Sequence, residues 1–79
     1  MLEDVELPKW GMTMSEGKIA AWEVAVGDHV TEGQPIAAIT TDKVESDVEA
    51  PVDGVVEEIL IEAGTTVEVG TVIARIRED

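Results

Sequence analysis

Seventy-nine residues with a net charge of −13, 44% apolar and without Phe or Tyr, make one small domain, 1–79, with a thin aliphatic core. The absence of cysteine excludes disulfides, zinc–thiolate sites and thiol catalysis, and the single histidine, His29, excludes a histidine metal cluster. The acidity argues against nucleic acid and anionic membranes as partners, and no apolar run approaches the ~20 residues of a spanning helix. A soluble, monomeric, self-repelling particle is expected, with net stability on the order of 3–5 kcal/mol. The opening MLEDVELPKW has neither the basic nor the apolar region of a signal peptide. A cytoplasmic location is expected, and an organelle matrix is equally compatible.

In chain order, Glu3 to Leu7 alternates as a short first strand that Pro8 ends. A loop from Lys9 to Ser15 follows, and Gly17 opens a repeat. Gly17, Gly27, Val30, Gly33, Ile36, Ala37 and Ile39 recur 37 positions later as Gly54, Gly64, Val67, Gly70, Ile73, Ala74 and Ile76. Glycines recurring in register mark turns needing positive φ or close backbone approach. Both copies slip their apolar alternation at one place, Ile19 to Trp22 and Val56 to Ile59, which predicts a bulge in each. No 3.6-residue stripe is sustained, so the domain should be all-β. A few short strands cannot bury a face alone, so the two copies must pack on each other. The expected fold is a flattened barrel or sandwich of two small antiparallel sheets with an approximate twofold axis, a barrel-sandwich hybrid.

The segment Thr40 to Asp47, TTDKVESD, lies between the apolar runs Pro35–Ile39 and Val44–Val48. Asp favours turns through side-chain bonds to its own backbone, so a hairpin with Asp42 and Lys43 in the turn is expected. Without Gly there, a type I connection is expected rather than type I′. Shifting Lys43 by the repeat distance lands one residue past the chain's last, so the corner equivalent to the hairpin tip is occupied by the termini. A lone lysine in a turn is ordinarily a solvated charge. Here strands fix it on both sides, at the corner opposite the termini.

The stretch Ile36-Ala-Ala-Ile39-Thr40-Thr41-Asp42-Lys43-Val44 with Glu45-Ser46-Asp47-Val48-Glu49-Ala50-Pro51, together with Gly27-Asp28 and Gly54, resembles a lipoyl domain. Such domains are the carrier modules of the acyltransferase component of 2-oxo acid dehydrogenase complexes. The opening Leu7-Pro8-Lys9-Trp10-Gly11-Met12-Thr13-Met14-Ser15-Glu16-Gly17 looks most like the pyruvate and acetoin dehydrogenase members. The resemblance implies that Lys43 becomes N6-lipoyllysine, with Asp42 and Val44 read by the modifying lipoate ligase or lipoyl transferase. It implies three further partners: a thiamine-diphosphate decarboxylase, the acyltransferase catalytic domain and dihydrolipoyl dehydrogenase. It also implies that the loop Lys9, Trp10, Gly11, Met12, Thr13, Met14 and Ser15 helps the decarboxylase recognise its carrier. Trp10, Met12 and Met14 fit either that role or a cap on the barrel end.

By this resemblance the chain is a carrier and not itself an enzyme. A biotin carrier shares the fold but flanks its lysine with methionine, where this chain has Asp42 and Val44. An unmodified β-module that only docks partners is the third reading. Glu57 and Glu58, adjacent in a strand, should point to opposite faces as solvated charges. His29 should be exposed, Trp22 should sit in the core, and Gly33-Gln34-Pro35 reads as turn punctuation rather than a phosphate loop.

Overall fold

A computed structural model describes residues 1–9, 15–41 and 45–79. These form eight strands and, among the described residues, no helix: β1 (Leu2–Glu6), β2 (Glu16–Trp22), β3 (His29–Val30), β4 (Pro35–Thr40), β5 (Glu45–Glu49), β6 (Gly54–Ile59), β7 (Thr66–Glu68) and β8 (Val72–Glu78). Two antiparallel four-stranded sheets result, ordered β1-β8-β6-β3 and β5-β4-β2-β7. The expected all-β sandwich is what forms. The first strand begins and ends one residue earlier than its alternation suggested, leaving Leu7 as a buried anchor bonded to Thr71 and Gly70.

The repeat governs the topology. Strands β2, β3 and β4 match β6, β7 and β8, but each short strand crosses over. β3 pairs with β6, and β7 pairs with β2, so each copy completes the other's sheet. Backbone bonds at the paired glycine turns add to this exchange. Gly27 N–H donates to Val56 O at 2.8 Å, and Gly64 N–H donates to Ile19 O at 2.6 Å. Both glycines have positive φ, 96° and 93°, a region that Cβ sterics close to most residues. The anticipated bulges are present, with the register shifting between Ile19 and Ala21 and between Val56 and Glu58.

The core follows the same symmetry. Ile19/Val56, Ile36/Ile73, Ala37/Ala74 and Ile39/Ile76 are buried pairs 37 apart. Val5/Val48 and Leu7/Ala50 are buried pairs 43 apart. The wider spacing arises because Glu6 to Gly17 takes eleven positions where Glu49 to Gly54 takes five, so the first connection is six residues longer. Hence β1 is the counterpart of β5, and DVELP at 4–8 repeats as DVEAP at 47–51. Trp22 departs from expectation. Its ring packs half-buried on the core's edge, where Nε1 donates to Ile61 O at 2.8 Å, so the polar end of the indole is satisfied at the rim.

Glu57 and Glu58 also depart from expectation. The bulge adds a residue between Val56 and Glu58, which breaks the alternation and brings both carboxylates to arginines spaced two apart on β8. Arg77 grips Glu57 with two bonds, of 2.6 and 3.1 Å, and Arg75 reaches Glu58 at 3.2 Å and Asp4 at 3.0 Å. The Arg77 guanidinium holds the Glu57 carboxyl below its ordinary value. Such a depressed carboxylate stabilises the fold above the unfolded glutamate pKa and loses that contribution as pH falls through the folded value.

Two predictions follow from this frame. A Cβ at Gly54 would collide with the Arg77 carbonyl, its carbon only 2.9 Å away, whereas a Cβ at Gly27 meets nothing within 4 Å. Gly54→Ala should therefore cost about 3 kcal/mol by overpacking against backbone. Gly27→Ala should cost about 1–2 kcal/mol through φ alone, and urea unfolding would measure both. Glu57→Gln should lower the melting temperature at neutral pH, and the difference from wild type should shrink as pH falls through the depressed value of the folded carboxylate.

Candidate functional site: the β4–β5 hairpin

The β4–β5 pair forms the hairpin read from TTDKVESD. Ala37↔Val48, Ala38↔Asp47, Ile39↔Ser46 and Thr40↔Glu45 are cross-strand partners, so residues 41–44 make the connection. Asp42, Lys43 and Val44, and with them the expected turn type, lie outside the described residues. The structure does define the platform beneath them. Ile36, Ala37, Ile39 and Val48 are all buried, which fixes the inward face of both strands. At the far end Ala50 N–H donates to Gln34 O and Gly33 N–H donates to Ala50 O, both at 2.9 Å. β2 covers the other edge of β4. The two residues bracketing the connection are thus paired and anchored from below.

The symmetry equivalent of the Thr40↔Glu45 pair is Arg77↔Leu2, beside which Glu78 N–H donates to Met1 O at 2.8 Å. The first and last strands therefore meet where the other half carries its hairpin connection. This matches the expected correspondence between hairpin tip and termini.

Of the loop Lys9 to Ser15, Trp10, Gly11, Met12, Thr13 and Met14 lie outside the described residues. Lys9 and Ser15 are exposed. Ser15 O accepts from Val69 N–H at 3.0 Å, and β2 then pairs Lys18 with Thr40. The chain leaving the loop therefore enters the sheet beside the point where β4 departs for Lys43.

Among the described residues no polar or charged side chain is buried and no group of His, Asp and Glu is arranged to hold a metal ion. An open groove of about 310 Å³ runs between β1 and β5, lined by Asp4, Glu6, Pro8 and their equivalents Asp47, Glu49, Pro51 over Val5 and Val48. Its duplicated lining was not singled out from the sequence, because its spacing differs from the main repeat. His29 is exposed as expected and meets Asp79 at 2.9 Å. Among the described residues no helix is long and apolar enough to cross a membrane.

Residues 3–76 match the biotin/lipoyl attachment family, described as biotin-requiring enzyme. The chain is 47% identical over 73 residues to the dihydrolipoyllysine-residue acetyltransferase component of the pyruvate dehydrogenase complex of Corynebacterium glutamicum, covering 92% of this chain and 11% of that protein. It spans about a tenth to a fifth of the length of the curated relatives it matches. Among solved structures, the lipoyl domain of the 2-oxoglutarate dehydrogenase complex from Azotobacter vinelandii superposes with a TM-score of 0.72 at 30% identity, covering 94% of this chain and 96% of that one. Kluyveromyces lactis urea carboxylase superposes with a TM-score of 0.83 at 31% identity, over 98% of this chain and 6% of that one. Near-complete coverage of a solved lipoyl domain and the curated acyltransferase relatives put the chain among the lipoyl domains of this family. The chain belongs to the biotin/lipoyl attachment family, as a lipoyl domain of the kind found in acyltransferase components of 2-oxo acid dehydrogenase complexes.

Proposed function

We propose that residues 1–79 act as one swinging-arm carrier domain, lipoylated on Lys43, of a 2-oxo acid dehydrogenase complex most like the pyruvate or acetoin members. The observation that carries this reading is the platform: strands paired up to Thr40 and Glu45 on either side of a connection that holds Lys43. A covalently bound lipoyl group fits the residues present. Its attachment needs one amine on a backbone held at both ends. The chain has no cysteine of its own to compete in thiol exchange. When bound, the group supplies a cyclic disulfide, which can take up an acyl moiety together with two electrons as its S–S bond opens.

The chain's own contribution is position and charge. A free lysine is an ammonium with a pKa near about 10.4, and amide formation removes that charge. The buried inward face of β4 and β5 keeps the base of the arm fixed while the arm moves. Tethering then raises the local concentration of the acyl carrier at each active site it can reach. The proposed partners are a lipoate ligase or lipoyl transferase, a thiamine-diphosphate decarboxylase, an acyltransferase catalytic domain and dihydrolipoyl dehydrogenase. The chemistry of acyl transfer belongs to those partners and not to these residues. Lys9 to Ser15 is assigned to decarboxylase recognition because its described end enters the sheet beside the hairpin. The domain is proposed to be monomeric and cytoplasmic.

The description of the family, biotin-requiring enzyme, favours one competing reading, a biotin carrier. The neighbours of Lys43 argue against it, since Asp42 and Val44 stand where that branch has methionines. Incubation with lipoate, ATP and a lipoate ligase should add the mass of one lipoyl group to the intact chain, and none to Lys43→Arg. A biotin ligase with biotin should add nothing; the reverse pattern would move the chain to the biotin branch. The double variant Asp42→Met with Val44→Met should lose about tenfold or more in kcat/KM for lipoylation, as a ligase pocket loses both side chains it reads.

A further inference from the structure

The twofold symmetry is kept in the core and broken on the outer faces. On the β1-β8-β6 face, Asp4, Arg75 and Glu58 form one cross-strand row, and the central guanidinium bonds both flanking carboxylates, at 3.0 and 3.2 Å. The equivalent row on the β5-β4-β2 face is Asp47, Ala38 and Ala21. The carboxylate is retained, but a methyl group stands where the other half has the guanidinium. Asp47 is exposed, and its carboxylate has no ion-pair or hydrogen-bond partner among the described residues. All four ion pairs of the described residues lie on the other sheet or at its ends.

We propose that the β5-β4-β2 face is a docking surface for a protein partner presenting an arginine, whose guanidinium lies over Ala38 and pairs with Asp47 as Arg75 pairs with Asp4. The molecule itself displays the complementary contact. The same carboxylate, at the same register of the same strand pairing, is met by a guanidinium in the other half. Ala21 and Ala38 leave a shallow shelf that gives the planar group room to approach, and the neighbouring Glu45 and Glu49 favour a cation. Lys18, on the next row beside Thr40, is the one cation of this sheet's strands and limits the attractive zone to the row of Asp47. Arginine suits the slot better than lysine, because a planar fork can bond a carboxylate while lying flat on small side chains.

The proposal rests on the carrier reading and deepens it, and its test separates the two. The probe is the thiamine-diphosphate decarboxylase of the same organism, assayed for acyl loading of the lipoylated domain. Asp47→Asn and Ala38→Arg should each raise the KM for the domain about tenfold with kcat unchanged, the loss of one charge-assisted contact. Asp47→Glu should retain most of the wild-type KM, and Glu57→Gln, on the opposite sheet, should match wild type. Independently of any partner, a crystal structure of Ala38→Arg should show the introduced guanidinium bonded to the Asp47 carboxylate, as Arg75 is to Asp4. A KM within twofold of wild type for both Asp47→Asn and Ala38→Arg, or an introduced guanidinium turned away from Asp47 in Ala38→Arg, overturns the docking slot. Failure of the wild-type chain to be lipoylated overturns the carrier reading, and the docking proposal with it.

Discussion

The exchange of backbone hydrogen bonds between the two glycine turns and the opposite strands is the constraint on which the rest depends. Gly27 reaches Val56, Gly64 reaches Ile19, and the short strands β3 and β7 cross into the other copy's sheet. Neither copy of the repeat can therefore satisfy its own backbone or complete its own sheet. A chain of this size has little stability to spare, and mutual completion lets a core of Val, Ile, Leu and Ala suffice. Cooperative unfolding follows, because opening one turn removes a partner from the other half.

The hairpin inherits its rigidity from that arrangement. β4 is an inner strand, paired on one side with β2 and on the other with β5, and its inward residues Ile36, Ala37 and Ile39 lie in the shared core. Movement at the base of the connection would require Ile39 to leave that core, at about 2–5 kcal/mol by analogy with truncating such a side chain. The symmetry is broken at one corner and on the outer faces. At one corner the chain turns back through Lys43; at the equivalent corner β8 and β1 come together near the termini. On one outer face arginines neutralise their neighbours, and on the other the Asp47 carboxylate has no such partner among the described residues.

Much of this was legible in the sequence because it is written as identity at a fixed spacing. Gly27/Gly64 and Ile39/Ile76 announced turns and core, and the slipped alternation at Ile19 and Val56 announced the bulges. The hairpin strands were legible for the same reason, since Ile36 and Ile39 have mates in the second copy. What escaped reading has physical causes. The six-residue difference between the two connections hid the match of DVELP to DVEAP, and with it the kinship of β1 and β5. Alternation misplaced the faces of Glu57 and Glu58, because a bulge resets it. Trp22 looked like core by hydropathy, but its indole N–H required a carbonyl at the rim. The ion pairs of Arg75 and Arg77 are long-range and leave no local signature.

The central claim is that the hairpin selects a lysine by position and not by identity alone. The most direct test moves the amine by one residue while keeping composition and charge, by combining Asp42→Lys with Lys43→Asp. Intact mass after incubation with lipoate, ATP and a lipoate ligase, on variant confirmed folded by circular dichroism, reads the outcome. The account predicts that the displaced lysine stays unmodified under conditions that fully lipoylate the wild type. Equal modification of the displaced lysine would contradict it and would mean that the platform beneath the turn does not choose the site.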